Sequence, residues 1–146
     1  MIERINGQKG KGRKMIDKIG IDLHGVIDSD VGMFKELLET LYMSTFITIH
    51  IISGPPVKDV QDELDKLGLK IGKHYHYIAS VVDYLKTKDT RMWLDHKDTW
   101  WADDKDWWGA KAAICEKLDI DIMIDDQEGY KKSFEEIKTH FLLYTG

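Results

Sequence analysis

Two rhythms of apolar and polar positions alternate along this chain. Short β-branched runs come first: Lys18-Ile-Gly-Ile-Asp-Leu-His24 and Phe46-Ile-Thr-Ile-His-Ile-Ile52 read as buried strands, each ending in polar residues. Between them, residues 31–43 place Phe34, Leu37, Leu38 and Leu41 on one helical face. Ser53-Gly-Pro-Pro56 stops the second strand and opens a helix over 57–67, which Gly68 closes. The pattern then predicts a strand at 75–79, a short helix at 81–86, a helix at 109–118 and a strand at 121–124. A last helix at 132–138 and a strand at 141–144 complete it. Residues 88–108 show no period. Strands separated by helices imply an α/β fold: a three-layer, Rossmann-like core around a mainly parallel sheet. The expected domain is 18–146, preceded by a basic arm or hairpin at 1–17.

Composition narrows the class. A chain of 146 residues with 42% hydrophobic and 32% charged residues is long enough for one ordinary globular core. No apolar run approaches the roughly 18–20 residues of a membrane span, and the N-terminus lacks the apolar core of a secretory signal. The lone cysteine, Cys115, excludes an internal disulfide and a cysteine-based zinc site. A reducing, cytoplasmic setting is the simplest expectation. Charge is uneven: residues 1–18 carry +4, through Arg4, Lys9, Lys11, Arg13, Lys14 and Lys18 against Glu3 and Asp17. The rest therefore carries −9 of the overall −5. Such an arm either contacts nucleic acid or another anion, or is a solvated tail. The acidic body argues against nucleic-acid binding as the main function.

Candidate chemistry gathers at the C-terminal ends of predicted strands: Asp22 with His24, Ser53 with Gly54, and Asp125 with Asp126. In open α/β sheets that edge is where ligands bind. Each residue also has a plainer reading. Asp22 and Ser53 suit helix caps, Lys111 suits a solvated helix face, and Asp125-Asp126 suits a turn. Asp121, at the start of its strand, belongs to the opposite end of the sheet. His74 and His76 alternate on one strand and suit a metal, but no third ligand lies near them in sequence; His50 reads as a strand residue satisfied by its surroundings.

The order of these clusters resembles the haloacid dehalogenase superfamily. Ile19-Gly-Ile-Asp-Leu-His-Gly-Val-Ile-Asp28 is similar to its first motif, Ile51-Ile-Ser-Gly54 to its second, and Ile122-Met-Ile-Asp-Asp126 to its fourth. Lys111 stands where the third-motif lysine belongs. The short spacing from Lys111 to the acids is similar to that of the deoxyribonucleotidase branch. The resemblance implies a Mg²⁺-dependent phosphatase acting through an aspartyl-phosphate on Asp22. Mg²⁺ would bind Asp22, the His24 carbonyl, Asp126 and Asp125; Ser53, Gly54, Lys111 and the backbone N–H groups of Leu23 and His24 would hold the phosphoryl group. The chemistry suits these residues, because Mg²⁺ prefers oxygen ligands and phosphate monoesters repel nucleophiles until their charge is offset.

His24 departs from the pattern, since phosphatases of this superfamily usually carry aspartate there. Histidine titrates near neutrality and can move a proton. The alternative is an attenuated relative that binds phosphate or nucleic-acid ends without turnover. Only one predicted helix separates Asp22 from the next strand, so a minimal cap is expected, built from the stretch that holds Trp93, Trp100, Trp101, Trp107 and Trp108. Trp107 and Trp108, closest to Lys111, are the candidate lid. Aromatics stack on nucleobases or simply close the sheet edge; the expected substrate is a small phosphorylated molecule, with a nucleoside monophosphate favoured.

Overall fold

The computed structural model describes residues 15–146; the arm at 1–14, with Arg4, Lys9, Lys11, Arg13 and Lys14, lies outside the described residues. Five strands build one parallel sheet: β1 (Lys18–Ile21), β2 (Thr48–Ser53), β3 (Tyr77–Ser80), β6 (Ile122–Asp125) and β7 (His140–Leu143), in the order β3-β2-β1-β6-β7. Their side chains alternate between faces. Ile49 and Ile51 join Ile21 on one face, under Phe34 and Leu38 of α1 (Val31–Tyr42) and Val60 and Leu64 of α2 (Val57–Lys66). Ile52 and Met123 point the other way, under α3 (Val81–Thr87), α4 (Asp104–Leu118) and a 3₁₀ segment, Glu128–Phe134. A parallel sheet covered on both faces accounts for strands that read as apolar runs rather than alternating ones. The expected Rossmann-like three-layer α/β fold is the one observed.

Two expectations need correction. Residues 88–108 are not irregular: β4 (Met92–Leu94) and β5 (Trp100–Ala102) form an antiparallel hairpin in which Trp93 faces Trp101. Asp95 holds its turn, accepting from the N–H groups of Lys97 (2.8 Å) and Thr99 (3.0 Å) and from Trp101 Nε1 (2.8 Å). Immediately after it, α4 begins at Asp104 rather than 109, so Trp107 and Trp108 are helical. The helix expected at 132–138 is instead the 3₁₀ segment Glu128–Phe134. A Cβ on Gly129 would meet the Trp108 ring at 2.9 Å, so the segment passes close beneath that ring. Ser133 Oγ then donates to the Trp108 carbonyl at 3.1 Å, and Tyr130 and Phe134 are buried.

Candidate functional site

The chain starts its sheet in the middle: β1 has β2 on one side and β6 on the other. Connections leave β1 and β6 in opposite directions, which opens a crevice beyond their C-terminal ends. Asp22 stands one residue past β1, and its N–H donates to the Ile124 carbonyl at 3.0 Å. Asp125 ends β6. Thus the sheet itself brings the two acids together.

At the centre lies Lys111, fully buried two turns into α4. Its Nζ is 3.3 Å from Asp22 Oδ2, hydrogen-bonds Asp125 Oδ2, and sits 4.5 Å from the Tyr130 ring centroid. These neighbours raise its pKa despite burial, so it stays an ammonium ion. Burial pushes Asp22 up to about 6; the Lys111 ammonium opposes that rise and the Asp125 carboxylate adds to it. Asp126 is raised by burial and by Asp125. One lysine among three acids leaves net negative charge.

The remaining polar atoms divide into occupied and open. Asp125 is held at both oxygens, by Lys111 and by the Gln127 N–H at 2.9 Å. Asp126 Oδ1, in contrast, is buried and without a partner among the described residues. A carboxylate oxygen from each of Asp22, Asp125 and Asp126 lies within 4.8 Å of the others. Gly25 makes this fit possible: its φ is +81°, and a Cβ there would fall 2.0 Å from Asp126 Oδ2. Ser53 Oγ is also buried; it faces Asp22 closely enough to lower its pKa but falls short of hydrogen-bond geometry.

A cavity of about 270 Å³ opens here, lined by Asp22, His24, Ser53, Trp107, Lys111 and Tyr130 among others. The structure therefore brings together Asp22, Ser53, Lys111, Asp125 and Asp126, with Gly54 against the Trp107 ring. One of the two backbone donors expected to hold the phosphoryl group is already engaged. The Leu23 N–H is already given to Asp22 Oδ1 at 2.8 Å, and the Leu23 side chain is core. His24 stands at the mouth, where Nε2 meets both Glu63 oxygens at 2.8 and 2.9 Å. Because Glu63 accepts, Nε2 carries a proton.

Glu63, Tyr130 and Asp95 escaped the sequence reading. Only Glu63 had a usable signal, lying in the helix that follows the candidate strand end. His74 and His76 do not gather with a third metal ligand among the described residues; each Nδ1 instead accepts a backbone N–H, from Lys70 and Ile49, at 2.9 Å. Asp121 does lie at the opposite end of the sheet, accepting from the N–H groups of Asp17 and Lys18. His50, expected to be satisfied, is buried with neither ring nitrogen bonded among the described residues.

No described helix is long and apolar enough to cross a membrane. The chain matches no protein-family model and no curated protein sequence. Its fold is similar to that of an uncharacterized protein from Corynebacterium glutamicum, with a TM-score of 0.52 and 13% identity over 90% of this chain and 87% of that one. At that identity the likeness is one of fold alone.

Proposed function

We propose that this protein is a Mg²⁺-dependent phosphatase of the haloacid dehalogenase type that hydrolyses a phosphate monoester. The observation that carries the reading is a buried lysine bridging two strand-end carboxylates, beside a third whose Oδ1 is buried and has no partner among the described residues. The donor set fits the metal: three carboxylates supply hard oxygens, with one buried atom open. Asp22, the His24 carbonyl and Asp126 would hold the ion; Asp125, bound at both oxygens, positions Lys111. When bound, Mg²⁺ offsets phosphoryl charge and holds the group for attack.

Asp22 supplies the nucleophile. Its pKa of about 6 leaves it ionised at neutral pH. Its oxygen bonds phosphorus as the bond to the leaving alcohol breaks, and water later cleaves the aspartyl-phosphate. The Lys111 ammonium offsets charge on the transferring group, and Ser53 Oγ, without a hydrogen-bond partner among the described residues, donates to a phosphoryl oxygen. His24, oriented by Glu63 through Nε2, exchanges a proton at Nδ1 with the leaving alcohol and then with water.

Phosphate release from a panel of monoesters tests this, with Mg²⁺ and with chelator, for the protein and its Asp22→Asn variant. The expected result is Mg²⁺-dependent release that falls to background in the variant. The occupied His24 ring favours a second reading, a phosphate-binding relative without turnover. That reading predicts no release from protein whose melting temperature Mg²⁺ and phosphate still raise.

A further inference from the structure

A larger cavity, about 590 Å³, adjoins the Asp22 site and shares His24, Gly54, Pro55, Trp107 and Trp108 with it. Its size is that of a small-molecule site, roughly 300–1,000 Å³. Trp100 and Trp101 of the hairpin and Trp107 and Trp108 of α4 all contribute to its lining. The walls are held in place: Trp101 Nε1 is bonded to Asp95, and the Trp107 ring lies against Gly54. Asp59, Glu63, Asp98 and Asp104 also line the cavity, and among the described residues no lysine or arginine does. Of these acids only Glu63 is engaged among the described residues, with His24.

We propose that this cavity receives the alcohol part of the substrate, and that this part is an aromatic group bearing a positive charge. The inference rests on the phosphatase reading for the neighbouring site and deepens it. Indole faces attract both flat rings and cations. The protein already uses one that way, with Lys86 Nζ 3.9 Å from the Trp100 centroid. Asp59, Asp98 and Asp104, exposed residues of the cavity lining, lower the potential at its mouth. They repel any second phosphate and favour an organic cation. A single small ammonium would leave most of the volume empty, whereas a charged aromatic group fills it. A neutral nucleoside would use the rings alone and gain nothing from the carboxylates.

The test compares 4-(trimethylammoniomethyl)benzyl phosphate with 4-neopentylbenzyl phosphate, which match in shape and leaving group and differ in charge. With Mg²⁺, kcat/KM for the cationic ester should exceed that for the neutral one roughly tenfold. In the folded Asp59→Asn/Asp98→Asn/Asp104→Asn variant that preference should shrink to about twofold or less. Equal or faster turnover of the neutral ester, or of a nucleoside monophosphate, by the unaltered protein overturns the proposal. If no ester is hydrolysed, the phosphatase reading has failed. The cavity is then judged by tryptophan fluorescence on adding the two parent alcohols. Tighter binding of the cationic alcohol upholds the proposal, and equal or weaker binding overturns it.

Discussion

Lys111 is buried among Asp22, Asp125 and the Tyr130 ring, at the floor of the cavity beside Asp22. Removing one member of a buried ionic group leaves the others uncompensated, which typically costs about 3–5 kcal/mol. The Lys111→Met variant should therefore lose stability of that order by chemical denaturation. On the proposed function, Mg²⁺ should narrow the deficit, because it supplies positive charge beside the same carboxylates. Gly25 is a sharper case, since two independent constraints meet at one residue. An Ala there adopts a φ of +81° at a cost of about 1–3 kcal/mol. Its Cβ also displaces the Asp126 carboxylate. The Gly25→Ala variant should melt earlier than the unaltered protein and lose the rise in melting temperature that Mg²⁺ is expected to give. A variant that kept the full rise would remove Asp126 from the proposed metal site.

At the scale of elements, α4 does most to assemble the site. Asp104, Trp107, Trp108 and Lys111 follow the i, i+3, i+4, i+7 spacing of one helical face, so a single helix carries cavity acid, cavity walls and central lysine. That spacing was present in the sequence but hard to see. Its first turns are acidic and aromatic, and the hairpin before it ends in two further tryptophans, which blurs the helical period. The strand ends were easier to read, because a β-branched run that stops at Asp22, Ser53 or Asp125 marks its own polar terminus. Tyr130 was not legible, since it reaches Lys111 from a 3₁₀ segment whose course depends on Trp108 packing over Gly129. The hairpin depends on Asp95, whose carboxyl is held below its usual range by Trp101 and by the Thr99 N–H. Asp95→Ala should free the Trp101 ring and shift tryptophan fluorescence to the red while leaving the melting temperature nearly unchanged. If the cavity binds substrate, KM should rise in this variant more than kcat falls.

Over the whole molecule, the two faces of the sheet divide the work. The α1–α2 face is an apolar core with Leu23, Val26 and Ile27 sealing the loop after β1. The opposite face carries α4 and the charged centre, and also a polar residue that serves neither core nor site. His50 in β2 lies opposite Gly20 and Tyr77, its ring 5.1 Å from that of Tyr77. Burial, with Lys18 and His76 nearby, lowers its pKa to about 4. An unfolded histidine titrates near 6.5, so between those values the unfolded chain takes up a proton that the fold refuses. Stability contributed by neutral His50 is intact above pH 6.5 and is lost as pH falls toward 4, by at most about 3 kcal/mol. Asp22 acts oppositely in an overlapping window: its raised pKa means the fold gains stability as pH falls from about 6 toward 4. The acid profile of the unaltered protein therefore mixes two opposing slopes, and only a difference between variants isolates one. His50→Phe keeps a ring beside Tyr77 and removes two nitrogens that have no partner among the described residues, a change that is near neutral or stabilising at pH 7. Denaturation of both proteins from pH 7 to pH 4.5 should show the variant's advantage growing steadily below pH 6.5. A constant difference across that range would mean that His50 is protonated in the folded protein as readily as in the unfolded chain, and that its burial carries no linkage to acid stability.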